Sequence, residues 1–82
     1  MWYVYAIYNK ENSQIYIGQT SNIDRRLSEH NRKIGNHFTA KYNGDWNLIY
    51  AEECYSRRDA LKREKELKSY QGRMFIKTYI PK

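Results

Sequence analysis

The chain has 82 residues, with 15 Lys and Arg against 9 Asp and Glu, a formal net charge of +6, and nine tyrosines within an aromatic fraction of 16%. A chain this short buries only about 60–65% of its unfolded surface, which points to one domain over residues 1–82 with a thin core and a site close to solvent. The lone cysteine, Cys54, excludes an intramolecular disulfide framework and a cysteine-rich zinc module, and suggests a reducing compartment with the cytoplasm as the expected location.

Met1-Trp2-Tyr3-Val4-Tyr5 enters an apolar run directly, with no basic leader and no small-residue cleavage site. The apolar stretches are too short to span a bilayer, so a soluble protein is expected. Lys/Arg excess beside many tyrosines fits contact with a phosphate backbone. It equally fits a well-solvated basic protein with a tyrosine-rich core.

Trp2 to Tyr8 is rich in β-branched and aromatic residues, a turn-prone Asn9-Lys10-Glu11-Asn12-Ser13 follows, and Gln14-Ile15-Tyr16-Ile17 is again strand-like before Gly18. This predicts a β-hairpin. Ser21 with Asp24 three residues on predicts a helix N-terminus, and Ile23, Leu27 and Ile34 carry that helix to Lys33 or Ile34, where Gly35 ends it. Asn36 to Asp45 lacks periodicity and contains Asn43-Gly44, so it reads as a loop. Trp46 to Cys54 predicts a third strand centred on Leu48-Ile49-Tyr50. Ser56 with Asp59 repeats the capping pattern, and Ala60, Leu61, Leu67 and Tyr70 support a second helix ending near Gly72. Arg73 to Lys82 forms a further short helix or strand. The order ββαβα plus a C-terminal segment describes an α+β fold: a small antiparallel sheet flanked by helices.

Four polar features stand apart from this packing pattern. At about 100° per residue, Glu64 falls between Ala60, Leu61 and Leu67, inside the apolar stripe of the second helix. A carboxylate there must be paired, protonated or bound to a cation. A salt bridge satisfies it, and so does a hard divalent metal, which takes one or two carboxylates and completes its shell with water and phosphate oxygens. On the first helix Arg26 and His30 lie four apart at the edge of the stripe, while Arg25 points toward solvent. Arginine in a cleft wall holds phosphate oxygens in a planar fork; the alternatives are a solvated charge and a half-buried histidine. Third, Tyr3-Val4-Tyr5 faces Tyr16-Ile17-Gly18 across the hairpin, where Gly18 permits close approach to the backbone and buried phenols need partners. Fourth, the loop Asn36-His37-Phe38-Thr39-Ala40-Lys41-Tyr42 is basic and aromatic together, as a backbone-binding loop or an ordinary surface loop would be.

Tyr3-Val4-Tyr5, ten residues, then Tyr16-Ile17-Gly18, followed by Gln19-Thr20-Ser21-Asn22-Ile23-Asp24-Arg25-Arg26-Leu27-Ser28-Glu29-His30-Asn31, resembles the GIY-YIG nuclease family. Leu48 to Glu53 and Ala60 to Lys68 resemble the later strand and helix of its small bacterial members, related to the N-terminal nuclease of an excision-repair enzyme, so the resemblance spans nearly the whole chain. It implies a metal-dependent cut of a DNA phosphodiester, in repair or recombination. Glu64 would then be the sole protein ligand of one Mg²⁺ or Mn²⁺, and Arg26 would stabilise charge on the phosphoryl group. Tyr5 would activate or orient the attacking water, with Tyr16 and His30 lining the same pocket. DNA contacts are expected at Gly18, Thr20, Arg25, His37, Thr39 and Lys41. The leading glycine of the family's first motif is replaced by Tyr3, and the asparagine frequent near its C-terminus is absent from Gln71 to Lys82. Target recognition is expected from a protein partner or a second copy. A noncatalytic, basic nucleic-acid-binding module recruited by a protein partner is the competing reading.

Overall fold

In the computed structural model residues 1–34 and 38–81 are described. The first two aromatic and β-branched runs form β1 (Trp2–Asn9) and β2 (Gln14–Thr20), an antiparallel hairpin turned through residues 10–13, in which Tyr5 pairs with Gly18 and Ile7 with Tyr16. The third strand, β3 (Trp46–Cys54), runs antiparallel on the other side of β1, so the sheet order is β2-β1-β3 and the first strand is central. A register shift between Ala6 and Ile7 interrupts the β1–β3 ladder, pairing Ala6 with Tyr50 but Ile7 with Leu48. With three helices against this sheet, the antiparallel α+β architecture predicted from the sequence is the one observed.

Strand alternation divides the core in two. Val4, Ala6 and Ile17 face Ala60, Leu67 and Ile76 of the two later helices, whereas Tyr5, Ile7 and Trp46 face the first helix with Tyr16, Ile23 and Leu27 packed around them. Both faces of the sheet are therefore covered. Burying a Leu or Ile side chain contributes about 1.5–3 kcal/mol, and a core with so few of them depends on polar ties as well.

The first helix, α1 (Ile23–Asn31), is shorter at both ends than its sequence pattern predicts. Its cap is Asn22 rather than Ser21: Asn22 accepts from the Arg25 amide at 3.0 Å, while Thr20 Oγ1 accepts from the Asn22 amide and fixes the preceding turn. It stops before Gly35 because Lys33 takes the left-handed conformation itself, at φ 58°. The Ile34 amide then reaches Glu29 O and the Lys33 amide reaches His30 O, which completes a Schellman closure. Three tertiary bonds hold this otherwise costly lysine conformation. Lys33 Nζ donates to Gly44 O at 2.9 Å, and the Asn31 side chain bonds both the N–H and the C=O of Trp46.

The segment predicted as a loop contains a 3₁₀ turn, Phe38–Lys41. Beyond β3, the predicted second helix is two helices, α2 (Arg57–Leu67) and α3 (Tyr70–Lys77), and the undecided C-terminal segment belongs to α3. Ser56 caps α2 as expected, with the Asp59 amide on its hydroxyl at 3.2 Å. The break comes at Ser69, whose hydroxyl donates to Glu66 O at 2.6 Å and accepts from the Gly72 amide at 3.1 Å, ending one helix and starting the next. Gly72, read as a terminator, lies inside the first turn of α3 and lets it fold back on α2. A Cβ there would collide with Glu66 O and the Leu67 backbone. Gly72→Ala is expected to cost about 1–3 kcal/mol through forced separation of the two helices, seen as a lower urea midpoint with an unchanged slope.

Candidate active site

Tyr5 projects from the middle of the central strand into the α1 side of the sheet and is 2% exposed. Its hydroxyl lies 2.8 Å from Nε2 of His30, and the Arg26 guanidinium hydrogen-bonds the same phenol. His30 is fully buried rather than at the edge of the helix stripe, because its second ring nitrogen is also satisfied: Nδ1 is 2.6 Å from Thr39 Oγ1. Arginine only donates, so the Tyr5 oxygen accepts from Arg26. Tyr5 O–H then donates to Nε2, and the imidazole donates its Nδ1–H to Thr39 Oγ1. Tyr16 closes the cluster, its ring 5.0 Å from the His30 ring and 6.3 Å from that of Tyr5.

Arg26 is additionally held by Glu29, Nη1 to Oε1 at 2.9 Å, with its side chain about a quarter exposed. The guanidinium thus meets the phenol on one side and keeps access to solvent. Gly18 makes this crowding feasible, since a Cβ at that position would meet the Tyr16 ring and the Tyr5 hydroxyl at 2.9 Å. Glu64 lies on the α2 face shared by Ala60 and Leu67; Leu61 turns outward. Its carboxylate is one-fifth exposed, sits 2.7 Å from Lys68 Nζ, and is near enough to Tyr5 to act on its ionisation. The salt bridge that was one reading of Glu64 is therefore present, with a partner one turn on that the Glu-to-Lys spacing i, i+4 could have signalled. Tyr5, Tyr16, Arg26, His30 and Glu64, drawn from β1, β2, α1 and α2, form one neighbourhood.

The expected DNA contacts are placed less uniformly. Arg25 is exposed, with Glu29 3.8 Å away. Lys41 is exposed and lies 4.7 Å over the Phe38 ring. His37 lies outside the described residues. Gly18, Thr20 and Thr39 are buried, and each does an internal job: close ring packing, fixing the entry to α1, and holding His30. Thr39 was read as a surface residue because its segment lacks periodicity, a pattern that carries no trace of a tertiary hydrogen bond. The 3₁₀ turn that delivers it is fixed by Trp46, whose Nε1 donates to Thr39 O at 3.3 Å.

Burial pushes the Tyr5 phenol up from its usual value; Tyr16 and Glu64 add to this, and the Arg26 hydrogen bond and charge oppose it. Tyr5 is therefore protonated at neutral pH. Because the folded state holds this proton more tightly than the unfolded chain, stability is complete below the ordinary tyrosine pKa of about 10 and falls as pH rises above it. Tyr5→Phe is expected to flatten that alkaline loss by up to about 1.4 kcal/mol per pH unit, measured by urea unfolding between pH 9 and 11. Thr39→Val, which removes the hydroxyl that bonds His30 Nδ1, is expected to destabilise by about 1–3 kcal/mol. Thr39→Ser should restore most of this loss in the same thermal melts.

The GIY-YIG catalytic domain family matches residues 1–79. Among curated proteins, a UPF0213 protein of Staphylococcus haemolyticus is 35% identical over 75 residues, covering 92% of this chain and 89% of its own. One from Desulfotalea psychrophila is 33% identical over 79 residues, covering 93% and 71%. The solution NMR structure of a UPF0213 protein from Bacillus halodurans superposes with a TM-score of 0.55 at 27% identity, covering 95% of this chain and 84% of that one. With the two strand motifs, the arginine helix and the glutamate helix converging as they do, the chain belongs to the GIY-YIG family of nuclease catalytic domains.

Proposed function

We propose that this domain is a metal-dependent DNA endonuclease, hydrolysing backbone phosphodiesters in the cytoplasm during repair or recombination. The observation that carries the reading is the Tyr5 hydroxyl held between Arg26 and the buried His30. Family membership and the basic composition support it. Arg26, about a quarter exposed, holds the scissile phosphate and offsets its growing negative charge. Tyr5 takes a proton from the attacking water as its own passes to His30 Nε2, and Thr39 keeps the imidazole oriented to receive it. Tyr16 walls the pocket beside them.

Among the described residues, no group of three or more His, Cys, Asp or Glu side chains is disposed to hold a metal ion. Glu64 is instead a lone carboxylate, partly exposed and near the reacting phenol. That fits a hard cation which keeps its waters and shares phosphate oxygens. When bound, Mg²⁺ or Mn²⁺ would supply Lewis-acid stabilisation of the phosphoryl and leaving oxygens. Glu64 would hold the cation, and Lys68, nearly half exposed, would have to release that carboxylate. A protein partner or a second copy would select the target.

Labelled duplex, single-stranded and branched DNA are expected to be cut in the presence of Mg²⁺ or Mn²⁺. Glu64→Gln should abolish cutting while the circular dichroism spectrum and melting temperature stay near wild type, since a surface ion pair contributes only about 0–1 kcal/mol. Retained cleavage by Glu64→Gln overturns the assignment. Salt-sensitive DNA binding with no cutting by the wild type would favour the noncatalytic module.

A further inference from the structure

A second cleft, about 220 Å³, opens beside the candidate active site and is lined by Trp2, Gln19, Thr20, Ser21, Arg25, Arg26 and Arg57. Arg26 is a wall shared with the Tyr5 cluster. The others come from the start of β1, the end of β2, the beginning of α1 and the beginning of α2, so residues far apart in sequence bring three guanidinium groups to one concavity. Glu29 pairs with Arg26 and lies at the outer limit of ion pairing with Arg25. Arg57 has no carboxylate within ion-pairing distance among the described residues, and its guanidinium rests 5.7 Å over the Trp2 ring.

We propose that this cleft binds the DNA backbone phosphate next to the scissile one, with Arg57 as its principal ligand, Arg25 as its second and the Trp2 ring as the platform that aims Arg57. The proposal rests on the nuclease reading above and extends it to substrate beyond the reacting group. Arg57 opens α2, where the helix dipole disfavours a cation, and lacks the acidic partner that would compensate it. An anion in the cleft removes both deficits. The indole restricts the guanidinium, so less side-chain entropy is lost when it grips phosphate oxygens in a planar fork. Gln19 presents a further unmet need: its amide oxygen is buried with no hydrogen-bond partner among the described residues. Turning that terminal amide exchanges the acceptor for an N–H₂ donor, which an anion in the cleft would satisfy. Because Arg26 borders both places, the strand passes from the Tyr5 pocket directly into this cleft.

The experiment measures fluorescence anisotropy of a labelled DNA duplex on the uncleaving Glu64→Gln protein, with and without Arg57→Gln or Arg57→Lys, over a salt series. Arg57 is exposed, and melting curves verify that the variants fold. Arg57→Gln should weaken binding several-fold and lower the slope of log affinity against log salt by about 1. Arg57→Lys should restore the slope but only part of the affinity. A scan of single methylphosphonate linkages should find one, flanking the cut or protected site, whose neutralisation weakens binding by the same factor and adds nothing to Arg57→Gln. Unchanged affinity and slope for Arg57→Gln, or losses that add at every linkage, overturn the subsite while leaving the nuclease reading intact. Absence of DNA binding by the parent protein overturns both.

Discussion

A phenol buried in a sheet this small must have its hydrogen-bonding capacity met inside the protein, and that requirement organises the molecule around Tyr5. The partners come from α1, as His30 and Arg26, and His30 in turn needs Thr39. Thr39 is delivered by a 3₁₀ turn pinned to Trp46, the first residue of β3. A run of polar contacts therefore ties the central strand to the first helix and through it to the start of the edge strand. With two modest apolar clusters on either side of the sheet, these ties supply much of the specificity of one face. The groups proposed to move protons are the same groups that hold α1 down. Conservative changes such as Tyr5→Phe and Thr39→Ser thus separate chemistry from folding better than truncations do.

The placement of charge follows a different logic. Arg26 and Glu64 act on the phenol from different elements, one from α1 and the other from α2, and each carries a neighbour of opposite sign. Neither is an uncompensated buried ion, so neither carries the large penalty that isolation would impose. Glu29 and Lys68 both sit one turn along the same helix. Such contacts are weak and exchangeable, so neither charge is locked to its neighbour.

Much of this was legible in the sequence. Strand-like runs of β-branched and aromatic residues located all three strands, and Ser56 with Asp59 located the start of α2, because these signals are local. Arg26 and Glu64 stood out as charges beside apolar stripes. What the sequence concealed was tertiary in origin. Lys33 ended α1 ahead of the available glycine because Gly44 and Trp46 hold the helix end from outside, and Ser69 split one apparent helix by serving both halves at once. The burial of Thr39 was illegible for the same reason: its partner lies nine residues away, across a segment with no period. The Arg57 cleft was missed because each contributor, read alone, is an ordinary surface residue near an element end.

The Asn31 side chain, which bonds both backbone groups of Trp46, has an effect beyond terminating α1. β3 is an outer strand, and its first residue would otherwise offer an unused donor and acceptor to any extended chain that met it. The carboxamide fills both, imitating a single residue of a fourth strand. A small protein with an open sheet margin is thereby shielded, at that end of the margin, from strand-to-strand association with its own copies.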